Sequence, residues 1–253
     1  MNLNETEPYA NLSSENEPRP SDPDREHVIK RLLVLHQLSL TLQTQLDEES
    51  LLRIMLSGIT AGEALGFNRA CVFLLNEDRT ELVGTLGVGP INEEECRHVW
   101  NCIADRGLTL ADFLEQFDQL KKYQTAQLNV KTQAIRWKVR EKDDVFTRTM
   151  KEKCCFYVTP EQSALLVPPP VRELLDTREL VTAPLVVTGE FLGLVIADNK
   201  FSGRPITEED IQLLSIVANQ TAAALSHIRL IWELEKFHDI LEEKVREVVA
   251  EKE

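Results

Sequence analysis

The chain has 253 residues, a formal net charge of −14 and a hydrophobic fraction of 43%. That is enough for one substantial domain plus extensions, and its acidity repels the phosphates of nucleic acids and anionic membranes over most of its surface. No apolar run reaches the roughly 18 residues that a bilayer-spanning helix needs. The first residues, "MNLNETEPYANLSSENEPRPSDPD", have neither a basic nor an apolar leader region, and five cysteines without regular spacing fit a reducing compartment. A cytoplasmic protein is expected, with no nucleic-acid or membrane partner.

In chain order, residues 1–22 are polar, acidic and Pro-containing, the composition of a disordered tail. Asp22-Pro23 has the form of an N-cap followed by Pro at the first helical position. Val28, Leu32, Leu35, Ser39, Leu42 and Leu46 then alternate spacings of four and three, so 23–46 is expected to be an amphipathic helix with a heptad seam. Asp47 opens a second helix, with Leu52, Met55 and Ile59 on one face. "RACVFLL" and "ELVGTLGVG" form a strand pair around the polar "NEDRT". Residues 92–131 are expected to be helical, anchored by Trp100, Ile103, Phe113 and Phe117. "AIRWKVR" alternates strictly, with Ile135, Trp137 and Val139 on one face and Arg136, Lys138 and Arg140 on the other, which predicts a half-buried strand.

A short helix from Asp143 to about Glu152 precedes the strand "CCFYVT", an extended "PPP" (168–170) and the helical turn "VRELL". "ELVTAPLVVTGEFLGLVIADN" is a hairpin turning at Thr188-Gly189. Thr207 with Asp210 three residues on is a shortened capping box. No Gly or Pro follows, so one helix is expected from 207 to 253, about 70 Å long. Its first half has two apolar faces. Its second half narrows to a seam of Ile231, Leu234, His238, Leu241, Val245 and Val248 flanked by Glu and Lys, which argues for a partner helix.

Three pieces together, "GFNRACVFLLNED", "LVTAPLVVTGEFLGLVIADNK" and "ITEEDIQLLSIVANQTAAAL", resemble the GAF domain family over about residues 47–226. The resemblance implies an α/β (α+β), PAS-like fold. A central antiparallel sheet would be flanked by helices, with long, coiled-coil-like N- and C-terminal helices that commonly form a homodimer. Residues 23–46 would then be an N-terminal dimerisation helix and 227–253 a C-terminal signalling helix. It also implies a small-molecule pocket on the sheet face opposite the terminal helices. Phe73, Trp137, Val139, Val145, Phe146, Asp198, Asn199 and Lys200 would line it. Similar segments with "GVGP" after the second strand often sit upstream of histidine-kinase or cyclase modules, so an output domain or kinase partner is expected.

Some cyclic-nucleotide-binding members carry Asn-Lys, then Phe, then Asp-Glu. Here Asn199-Lys200 stand, Ile206 takes the Phe place and Asp210-Ile211 replace Asp-Glu, so only half of that pattern is present. The alternative role of Asp198, Asn199 and Lys200 is a hydrogen-bonded turn tied to the following helix. Glu95, His98 and Cys102 share a helical face, but no second cluster completes a metal site. No Gly-x-Ser-x-Gly elbow, Walker loop or Rossmann glycine run occurs. Adjacent Cys154 and Cys155 would point to opposite faces of a strand and not chelate together. His238 is expected to be a polar seam residue. Lys121, Lys122, Arg136, Lys138 and Arg140 form a basic stretch that could draw an anionic ligand or an acidic partner.

The expectation is therefore a non-enzymatic sensory module, part of a system such as a two-component pathway, that binds a small molecule or senses redox state. It names no cofactor. Alternatives are a thiol-dependent enzyme resembling the methionine sulfoxide reductase branch, which would use some of Cys71, Cys96, Cys102, Cys154 and Cys155, and a ligand-free dimerisation scaffold whose pocket is filled by its own side chains.

Overall fold

The structure is a computed structural model and describes residues 23–62, 64–97, 126–139 and 143–250. Helix α1 (Pro23–Gln43) leads into α2 (Glu48–Thr60), which Asp47 caps by accepting a 2.8 Å hydrogen bond from the Ser50 N–H. Glu48 and Glu49 add negative charge to the first turn of α2, where the helix dipole favours it. Then come β1 (Arg69–Leu75), β2 (Glu81–Val88), α3 (Ala126–Gln133), β3 (Arg136–Lys138), α4 (Val145–Glu152), β4 (Phe156–Val158), α5 (Pro160–Leu166), α6 (Pro169–Leu175), β5 (Leu180–Val187), β6 (Glu190–Asp198) and α7 (Glu208–Ala250).

The six strands form one antiparallel sheet in the order β3-β2-β1-β6-β5-β4. Side chains alternate across it. Ala70, Val72 and Leu74 of β1 enter one core, while Cys71 and Phe73 enter another. The first core is closed by α1, α2 and the first half of α7 through Leu38, Leu51, Met55, Leu214, Val217 and Leu225. The second is closed by α3, α4 and α6 through Leu128, Val145, Phe146, Val171 and Leu175. A Cβ on Gly58 would stand 2.5 Å from Leu38 Cδ2, so this glycine lets α1 pack closely on α2.

The hairpin β5–β6 turns at Thr188 and Gly189, both with positive φ (49° and 80°), the two-residue geometry that follows strand twist. The capping box of α7 is made: Thr207 N–H donates to Asp210 Oδ2 at 3.0 Å, and the Asp210 N–H donates to Thr207 Oγ1 at 3.2 Å. The helix is buried through Ile228 and then leaves the domain. Leu230, Leu234, Phe237, Leu241 and Val245 are all exposed.

Several elements differ from expectation. "AIRWKVR" is strand only over Arg136–Lys138, with a backbone bond to the β2 side from each flanking residue, and its alternation holds, with Ile135 buried and Arg136 and Lys138 exposed. "CCFYVT" is strand only from Phe156 to Val158. "PPP" is no extended linker: Pro168 caps α6 and the next two prolines begin it, because a first helical turn needs no N–H from them. The sequence reading missed α5, which Thr159 opens with Pro160 behind it and Gln162 completing a capping box. Of the helix expected over 92–131, residues 93–97 and Ala126–Gln133 are helical. Residues 98–125, with Trp100, Ile103, Phe113, Phe117, Lys121 and Lys122, lie outside the described residues, as do the 1–22 tail and Arg140.

The expected seam is also redistributed. Leu42 is fully buried in the chain's own core, Leu35 packs against that core, and Leu32 is exposed. Helix α1 thus belongs to the helical layer of the domain. On α7, Ile231 is half-buried and His238 is exposed beside Glu242, 3.2 Å away on the same helix. The exposed apolar stripe keeps Leu234, Leu241 and Val245 of that seam and adds Leu230 and Phe237; the side chain of Val248 lies outside the described residues.

Candidate functional site

The sheet face opposite α1, α2 and α7 gathers five of the expected pocket residues. Phe73 on β1 and Phe146 on α4 are both 0% exposed and meet edge to face, with ring centroids 5.0 Å apart. Val145 is buried beside them, and Trp137 and Val139 pack half-buried against the same cluster. Two polar atoms in this layer are buried without a hydrogen-bond partner: the Trp137 Nε1–H, a donor, and Asp144 Oδ2, an acceptor. Asp144 caps α4 with its other oxygen, accepting from the Thr147 N–H at 2.8 Å. An unmade hydrogen bond at a buried group costs about 1–3 kcal/mol.

Asp198, Asn199 and Lys200 do not join that cluster. They stand where β6 ends, at the far end of β1. Asp198 is fully buried and takes three contacts from Arg69, two from Nε at 3.2 and 3.1 Å and one from Nη2 at 2.8 Å. Arg69 Nη2 also donates to the Leu175 carbonyl at 2.6 Å, and its guanidinium lies 5.1 Å from the Phe201 ring centre. Burial pushes the Asp198 carboxyl up, against the pull of Arg69. The Asp198 Oδ1 accepts from the Lys200 N–H, and the Asn199 amide donates to the Arg204 carbonyl, so these two residues make the expected turn.

The Lys200 side chain does not tie that turn to the following helix. Its ammonium reaches Asp176, at the end of α6, at 2.8 Å and holds that carboxyl below its ordinary value. The tie to α7 is Arg204, which reaches Asp210 at 2.9 Å. Sequence reasoning missed both arginines. The available signal for Arg69 was a lone charge opening an otherwise apolar strand, "RACVFLL".

Between these two ends α3 lies flat on β2. A Cβ on Gly84 would stand 1.9 Å from the Thr132 carbonyl oxygen, and one on Gly87 2.6 Å from Thr132 Oγ1. The same hydroxyl donates to the Leu128 carbonyl and lies 3.4 Å from Cys71 Sγ. Burial pushes the Cys71 thiol up to about 12, and also raises Cys96, Cys154 and Cys155. Glu95 closes a cap on Ile91 and Asn92, while His98 and Cys102 lie outside the described residues. Among the described residues no group of three or more His, Cys, Asp or Glu could hold a metal, and no helix is long and apolar enough to cross a membrane.

A separate cleft of about 490 Å³ opens on the opposite side, where α7 leaves the domain. Asp47, Glu48, Glu49, Leu52, Leu86 and Trp232 line it, and none of the expected pocket residues does. Arg229 of α7 reaches Glu48 at 3.3 Å beside it.

An antiparallel six-stranded sheet, with terminal helices on one face and a second helical layer on the other, defines an α/β architecture. The GAF domain family model matches residues 47–225, and the chain belongs to that family. Its fold resembles that of the GAF domain from a phosphoenolpyruvate-protein phosphotransferase of Coxiella burnetii, at 15% identity over 81% of this chain and 98% of that one, with a TM-score of 0.56. It also resembles residues 122 to 287 of a methyl-accepting chemotaxis protein, at 20% identity, 77% and 98% coverage and a TM-score of 0.53. The corresponding values for the GAF domain of an Acinetobacter phosphoenolpyruvate-protein phosphotransferase are 10%, 79%, 95% and 0.51. A search of curated proteins finds no match.

Proposed function

We propose that this chain is a non-enzymatic sensory GAF module that binds a small molecule and passes the binding event to α7, which pairs with a second copy. The observation that carries the reading is the continuity of α7. One helix of 43 residues closes the core behind the sheet and then extends about 30 Å beyond it with an exposed apolar stripe. A change of packing at β5 and β6 therefore reaches a surface that has no partner within the described residues. The kinship of the fold to modules of a chemotaxis protein and of phosphotransferases supports a regulatory role.

The ligand is proposed to engage the layer at Trp137, where an indole donor and the Asp144 acceptor stand unpaired amid apolar rings. Thiol catalysis fits poorly, since burial raises four of the five thiols and the thiolate is the reacting form. One observation favours the scaffold alternative: Phe73 and Phe146 already fill the centre of this layer.

Native mass spectrometry of the purified chain separates these readings. A dimer carrying extra non-covalent mass that Trp137→Phe lowers supports the sensor. A bare dimer at every protein concentration favours the scaffold. Leu241→Lys is expected to give monomers, and an unaltered dimer in that variant would remove α7 from the interface.

A further inference from the structure

As residues of a strand, Cys154 and Cys155 would send their thiols to opposite faces. The structure removes that obstacle. Helix α4 ends at Glu152, β4 begins at Phe156, and both cysteines occupy the connection between them. Lys153, in the left-handed region at φ 54°, turns the chain just before the pair. Neighbouring Cα atoms are about 3.8 Å apart, and outside a pleated strand the backbone does not hold the two sulfurs on opposite sides. Cys154 is exposed. Cys155 is half-buried against the core that α7 completes.

We propose that Cys154 and Cys155 form a dithiol site for a soft electrophile that takes two sulfurs at one atom, of the class of monosubstituted trivalent arsenicals. The donor set selects that class. Among the described residues no third or fourth metal-ligating side chain joins the pair, so a zinc ion lacks its tetrahedral complement. An arsenic(III) centre already bonded to carbon needs two soft donors.

Burial raises both thiols, and for Cys154 the Glu152 carboxylate adds to this, so both are protonated at neutral pH. The condensation uses them in that form: R–As=O + 2 RSH → R–As(SR)2 + H2O. Two S–H bonds and the arsenic–oxygen bond break, two arsenic–sulfur bonds form, both protons leave in the water, and arsenic stays trivalent. Reaction with a disulfide draws instead on the thiolate. The site is separate from the ligand layer at Trp137 and stands or falls without it.

The test is intact-mass measurement of the folded full chain with one equivalent of phenylarsine oxide. The expected product carries one phenylarsenic group with loss of one water, and excess dimercaptopropanol reverses it. Cys154→Ser and Cys155→Ser should each abolish it, while Cys71→Ser, Cys96→Ser and Cys102→Ser leave it intact. Persistence of the adduct in folded Cys154→Ser, or no adduct in the unaltered chain, overturns the proposal. Cys154 is exposed, so that variant remains decisive if Cys155→Ser fails to fold.

Discussion

At the scale of single residues, the Arg69–Asp198 pair sets the sharpest expectation. Removing one partner of a buried ion pair strands the other charge, at a cost of about 3–5 kcal/mol. Asp198→Ala should therefore lose that much in urea unfolding, since Arg69 is itself 0% exposed. A loss below about 1 kcal/mol, the scale of an exposed pair, would show that the pair does not lock the strand ends. Asp210 gives a pH dependence. Burial works against its charge, but hydrogen bonds from Thr207 and Arg204 bring its folded pKa below the ordinary value. Its contribution is present above the ordinary aspartate range of about 4 and is lost as pH falls through the lower folded value. Asp210→Asn should cost about 1 kcal/mol at neutral pH and flatten the acid limb of a melting series; an unchanged acid limb would remove Asp210 as its cause. The Arg69–Asp198 contact was not legible in the sequence. Arg69 meets a residue 129 positions away, and no local pattern encodes such a distance. The Thr207–Asp210 box was legible because its partners are three residues apart.

At the scale of elements, local chemistry decided what could be read. The β5–β6 hairpin was evident because its two-residue turn and flanking apolar runs specify each other. The prolines at 168–170 misled because they suit an extended chain as well as a first helical turn, and only the packing of Val171 and Leu175 selects the helix. Trp137 and Phe146, expected in the pocket from the family resemblance, both pack in the layer opposite the terminal helices. What their neighbours do there depends on α3, whose approach rests on two glycines. Gly84→Ala would drive a Cβ into the Thr132 carbonyl and should cost about 1–3 kcal/mol by overpacking. Gly189→Ala meets no atom within 4 Å and should cost only the strain of its φ of 80°, on the order of 1 kcal/mol. Equal losses at the two sites, measured by chemical denaturation, would contradict close α3–β2 packing.

At the scale of the whole molecule, α7 divides into a half that is part of the domain and a half that is not. Amides over 208–228 should exchange slowly with deuterium, whereas those over 230–250 should exchange fast in dilute solution. Protection of the second half should rise with protein concentration if two copies pair there. Concentration-independent exchange would count against pairing. The fold was largely legible because its sheet and terminal helices are strongly patterned, and the exposed stripe keeps Leu234, Leu241 and Val245 of the expected seam but has Leu230 and Phe237 beside them. Burial of α7 by the sheet, which sequence cannot show, decides which side of the helix is left over.

The short outer strands β3 and β4 limit how such molecules can associate. Each rim of the sheet offers three residues for backbone pairing, and β3 sets Arg136 and Lys138 outward. Rims this brief and this charged are poor templates for adding another chain's strand. Crowded copies of this protein should therefore resist fibrous stacking, and their contacts are steered toward helices, which can separate again.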